Sequence, residues 1–77
     1  MNGYRNWETW NVATWIQNDE TLYTIARNCA KVSRKTPYSE FVDAMTGLNI
    51  TRTPDGASLE SENIDVTAIN HVMRDLY

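Results

Sequence analysis

The sequence predicts an all-α fold, a compact bundle of about four short helices over residues 1–77, with room for a minor two-strand element near residues 48–59. Three observations carry that expectation. Apolar residues recur at helical spacing through the second quarter of the chain, a capping residue precedes each periodic run, and Pro and Gly fall between the runs rather than inside them. At 77 residues the chain is one domain, near the lower size at which a core suffices without staples. A hydrophobic fraction of 42% with 10% aromatics is enough for a folded globule, so disorder is not expected.

The first helix is built on Trp7–Gln17, which holds every tryptophan of the chain. At about 100° per residue, Trp7, Trp10, Asn11, Thr14 and Trp15 share one broad sector. Val12 and Ile16 fall roughly opposite, with Ala13 to their side. A strand reading fails because Trp7 and Trp10 would point to opposite sides. Asn6 fits an N-cap, and Glu8 places a carboxylate in the first turn, where the helix dipole favours it. The indoles have two readings. As core, each would bury about 150–250 Å²; as an exposed hot spot, they would meet a partner. For so short a chain the core reading is favoured, and a buried Asn11 would then need hydrogen-bond partners. Residues 1–5 read as a short arm, from which Arg5 could lie over an indole.

Asn18-Asp19-Glu20 is the next start signal, with Asn18 as cap, so a tight corner joins the first two helices. Leu22, Ile25, Ala26, Cys29 and Val32 then form the clearest amphipathic period, to about Ser33. Arg27, Lys31, Arg34 and Lys35 take the opposite face without an acid among them. The favoured reading is a solvated face with cations near the helix C-terminus. The functional alternative is a basic patch for a phosphate backbone or an acidic protein surface.

Thr36-Pro37 opens the third helix, with Thr36 as cap, Tyr38, Phe41, Val42 and Met45 as its buried stripe and Gly47 as its stop. Leu48 and Ile50 follow as an apolar coda. Thr53-Pro54-Asp55-Gly56 is a turn signature. Residues 57–63 read as an exposed acidic loop, with Leu59 pinning it to the body. The last helix starts at about Val66, capped by Asp65, with Ile64 and Ile69 at hydrophobic-staple positions and Val66, Ile69, Val72 or Met73, and Leu76 facing inward.

Chemistry is read by subtraction. His71 is the sole histidine and has no cluster of ligands beside it, so no metal site is predicted. The one cysteine, Cys29, sits on the buried stripe, away from any predicted base. Asp19-Glu20 caps a helix and Glu60-Ser61-Glu62 decorates a loop, so neither pair has an apolar pocket to raise a pKa. The sequence therefore predicts no enzyme, no catalytic residue and no cofactor. A net charge of -3 argues against general nucleic-acid binding. No basic stretch followed by an apolar run opens the chain and no span is apolar enough for a membrane, so a cytoplasmic protein is expected. Binding remains, with Trp7, Trp10, Asn11, Trp15, Arg27, Lys31, Arg34 and Lys35 as candidate contact residues. The partner classes are a larger protein, a nucleic acid reached through the basic face, or a second copy in a homodimer. Only the nucleic-acid mode would weaken steeply with salt.

Asn6-Trp7-Glu8-Thr9-Trp10-Asn11-Val12-Ala13, continued by Trp15-Ile16-Gln17-Asn18-Asp19-Glu20 and Leu22-Tyr23, resembles a family of small bacteriophage and mobile-element proteins, cyanophages included. Their pattern runs N-[WY]-E-T-W-N-V-A-x-W-[IL], then N-D-E and L-Y, and the Thr53–Gly56 turn with its acidic loop is similar too. The resemblance covers about a quarter of the chain closely and carries no catalytic residues. It implies a viral accessory protein in the host cytoplasm that binds and inhibits a host protein, such as restriction or CRISPR machinery or a metabolic enzyme.

Overall fold

In the computed structural model, which describes residues 3–77, four helices follow one another: α1 (Trp7–Asn18), α2 (Glu20–Val32), α3 (Pro37–Gly47) and α4 (Val66–Leu76). The all-α expectation holds. The expected arm over residues 1–5 lies partly outside the described residues, at positions 1 and 2.

Asn6 begins α1 as anticipated, its Oδ1 accepting the Thr9 N–H at 2.9 Å. One residue, Asp19, then serves both helices at the first corner. Its N–H donates to the Trp15 carbonyl at 3.0 Å and closes α1, while its Oδ1 accepts the Leu22 N–H at 2.9 Å and opens α2. The cap therefore falls one residue after Asn18, which is still helical. A carboxylate at this place also meets the positive end of the α2 dipole. Asp19→Ala should cost about 1–2 kcal/mol, lowering the midpoint of a circular-dichroism melt by several degrees. An unchanged melt would show that the corner is held by packing alone.

α3 departs from expectation at both ends. Thr36 supplies no side-chain cap; its hydroxyl pairs with Ser33 Oγ at 3.0 Å. The first-turn donor of Tyr38 is instead met from across the bundle, by Asn70 Oδ1 of α4 at 2.8 Å. At the other end the helix runs through Gly47, and the left-handed residue is Asn49, at φ 66. The Ile50 N–H reaches back to Met45 O and the Asn49 N–H to Thr46 O, both at 2.9 Å. That is a Schellman closure, in which asparagine is the usual substitute for glycine.

Residues 51–59 fold as a short antiparallel excursion with a single bridge, Arg52 to Ser58, rather than as paired strands. Thr53 O accepts the Gly56 N–H, and Gly56 takes a positive φ of 99, which returns the chain at once. Leu59 does pin the segment: it is buried, and the Tyr38 hydroxyl donates to its carbonyl at 2.6 Å. Asp65 caps α4 through the Ala68 N–H, and the staple residues Ile64 and Ile69 are both buried.

α2 and α4 each pack on all three other helices, whereas α1 packs on those two and makes no close backbone approach to α3. The tryptophan helix is thus peripheral. Ala13, Ala26 and Ala30 are all buried, and their small side chains let the helices meet around Phe41, Ile16, Met45, Ile69 and Met73. Two expected core residues lie outside. Val32 ends α2 about 100° round from the Leu22–Ala26–Cys29–Ala30 stripe, and Val66 sits in the first turn of α4, where it is only partly covered.

Candidate functional site

The face of α1 that enters the core is Thr9, Val12, Ala13 and Ile16, at spacings of three and four. The indoles take the other side. Trp7 is 37% exposed, which corrects the favoured core reading for that indole; Trp10 is half-buried, and Trp15 is half-buried and packs against the core. The physical reason is room. Valine, alanine and isoleucine fit between closely spaced helices, and Trp7 lies on the side of α1 away from them.

Asn11 lies in the middle of the indole sector and is nevertheless only 4% exposed. What buries it is the turn after α3, not a helix. Asn11 Nδ2 donates to Asp55 Oδ2 at 2.9 Å, and Asn11 Oδ1 accepts from the Thr53 hydroxyl, which in turn accepts the Ala57 N–H at 2.9 Å. Thr53 and Ala57 are buried beneath this tie, while Asp55 stays exposed on top of it. Residues 7, 11 and 15 stand one above another on a helix. The Asp55 carboxylate is therefore bonded to the middle residue of the Trp7–Asn11–Trp15 row.

A second seam runs along the start of α1. The Thr9 hydroxyl donates to Asn6 Oδ1 at 2.7 Å and accepts the Asp65 N–H at 2.9 Å. Asn6 Nδ2 donates to the Asn63 carbonyl, and Asn63 Nδ2 to Glu8 Oε2 at 2.8 Å. Arg5 turns away from the indoles toward Asp65, its Nε 3.8 Å from Oδ2. The polar residues of the Asn6–Asn11 stretch thus sew α1 to residues 53–65, and its tryptophans remain for the surface. Thr53, Asp55 and Asn63 were not anticipated here, because partners 42–57 positions away leave no local sequence signal.

The four basic candidates do not share one helix face. Arg27 and Lys31 are exposed on α2, but the helix ends at Val32, so Arg34 and Lys35 stand in the following turn. Arg34 is engaged with the C-terminal end of the chain. Its carbonyl accepts from Arg74 at 3.0 Å and its guanidinium lies 5.5 Å from the Tyr77 ring centroid. The indoles and the basic residues are therefore separate features, and only the indoles are combined with an anchored polar group.

His71 is exposed, with Nε2 3.8 Å from Asp75 Oδ2. Burial, and secondarily the Glu40 carboxylate, push the Cys29 thiol above its ordinary pKa, which disfavours a thiolate. Burial, and secondarily Glu60, likewise hold the Tyr38 phenol protonated, as its donation to Leu59 requires. Among the described residues no group of three or more His, Cys, Asp or Glu side chains could hold a metal ion. No helix among them is long and apolar enough to cross a membrane.

The family of unknown function DUF7249 matches residues 1–77. The chain belongs to that family. No curated protein and no solved structure matches it.

Proposed function

We propose that this member of DUF7249 is a small, non-catalytic accessory module that binds a larger protein through the indole face of α1. The observation that carries the reading is the exposure of Trp7, with the half-buried Trp10 beside it, on a helix whose fully buried residues are Thr9, Val12, Ala13 and Ile16; Trp15 is half-buried and packs against the core. Tryptophan left in water on one rigid helix offers large contact area at little conformational cost and is the residue type most enriched at binding hot spots. Because the Asn6–Ile16 stretch resembles small phage and mobile-element proteins, the partner is proposed to be a bacterial host protein. The module would inhibit or modulate it in the cytoplasm, as an anti-defence factor against restriction or CRISPR machinery or as a regulator of a metabolic enzyme.

The test is retention of a host protein from bacterial lysate on the immobilised chain, compared with a Trp7→Ala/Trp10→Ala double variant. The wild type should hold a partner at raised salt and the variant should lose it, with helical circular dichroism kept. Retention by both, or by neither, would sink the reading. A partner lost by simple salt elution would move attention to Arg27, Lys31 and Lys35 and to an electrostatic mode.

A further inference from the structure

We propose that the indole face of α1 receives an arginine side chain of a basic protein surface, with Asp55 as its anionic counterpart. The inference rests on the protein-binding reading above and specifies the chemistry of the partner. Asp55 is exposed, yet it is not a freely moving surface acid, because one oxygen accepts from the buried Asn11 amide at 2.9 Å. It is thereby tied to Asn11, which stands one turn from Trp7 and one turn from Trp15 on α1. Among the described residues no lysine or arginine pairs with it; Arg52, the cation of the same turn, donates its Nη1 to the Gly56 carbonyl at 3.1 Å instead. Glu8, one residue along from Trp7, is likewise held in place, by Asn63.

Aromatic faces flanking an anchored carboxylate are complementary to a planar cation. A guanidinium can stack on an indole while its N–H groups reach the free carboxylate oxygen, and it is more weakly hydrated than an ammonium, so less is lost on contact. The chain's own charge points the same way. It carries -3 overall, and α1 itself holds no lysine or arginine, while the exposed Arg52 in the turn of Asp55 is engaged with the Gly56 carbonyl.

The full chain is titrated with an arginine-rich peptide spaced by glycine and serine, and with its glutamine counterpart, following the indole N–H resonances by NMR. The arginine peptide should move the Trp7 and Trp15 signals and the glutamine peptide should not. Asp55→Asn keeps an oxygen for the Asn11 amide but removes the charge, and should weaken binding by about threefold to fivefold. Equal binding by Asp55→Asn, shifts confined to the 57–63 loop, or light scattering showing a dimer that already covers the indoles would each overturn the proposal. If peptide binding fails while tryptophan-dependent retention of a lysate protein persists at raised salt, the arginine chemistry falls and the protein-binding reading stands. Failure of both removes both.

Discussion

Phe41→Ala should destabilise the protein by about 3–5 kcal/mol. Phe41 is fully buried, heads the large side chains of the core, and lies 6.0 Å from the Tyr38 ring, nearly parallel to it at 24°. It projects from α3 into the region where α2 and α4 converge, so no single helix can move to refill its volume. A domain of 77 residues has a total stability of about 4–12 kcal/mol on the usual per-residue scale. The substitution therefore removes a large share of it and could leave a population of unfolded chains at room temperature. In urea, the midpoint should fall sharply with an unchanged slope. Leu48→Ala, at a residue 59% exposed just beyond α3, is the control and should leave the midpoint within the error of the method. If Phe41→Ala cost less than about 1 kcal/mol, the core would have to be sited elsewhere.

Helix number and type were legible because they depend on short-range chemistry. Asn6 and Asp65 cap where a side-chain oxygen can reach N–H groups two or three residues on, Pro37 starts a helix where a missing N–H costs nothing, and Thr53–Gly56 turns on its Pro and Gly. The burial pattern was less legible. On α1 the lighter Val12, Ala13 and Ile16 are fully buried while Trp7 is exposed and Trp15 only partly buried against the core, because helix spacing selects by size, which hydrophobicity alone does not report. Asn49 replaced Gly47 as the left-handed residue because the Schellman hydrogen bonds bring the apolar Ile50 back toward Met45. The α3 cap failed as a local expectation since its donor is met by Asn70, a residue 32 positions away. For the proposed binding face, the indoles were visible in the sequence, while the carboxylate bonded to Asn11 depends on a fold-wide contact.

That contact is the second large effect expected. Asn11→Ala should cost about 2–3 kcal/mol, more than an ordinary surface change, because it removes a bond to a charged group and takes the acceptor from the buried Thr53 hydroxyl. Urea unfolding gives the magnitude, and amide hydrogen exchange gives the location. The Ala57 N–H, which donates to Thr53 Oγ1, and the Gly56 N–H, which donates to Thr53 O, should exchange faster, while amides inside α3 change only with global stability. Uniform loss of protection would mean that the turn and the helices open as one unit and that Asn11 is part of the global core. Asn11→Asp is the sharper variant. It would set a carboxylate against Asp55 at hydrogen-bond distance, so the introduced group or Asp55 would have a raised folded-state pKa. The destabilisation would then be largest near neutral pH and would diminish as pH falls through the carboxylate range. Because the same amide holds Asp55 against α1, both variants should loosen that contact as well as the turn. This ties the order of the proposed binding face to the stability of residues 53–57.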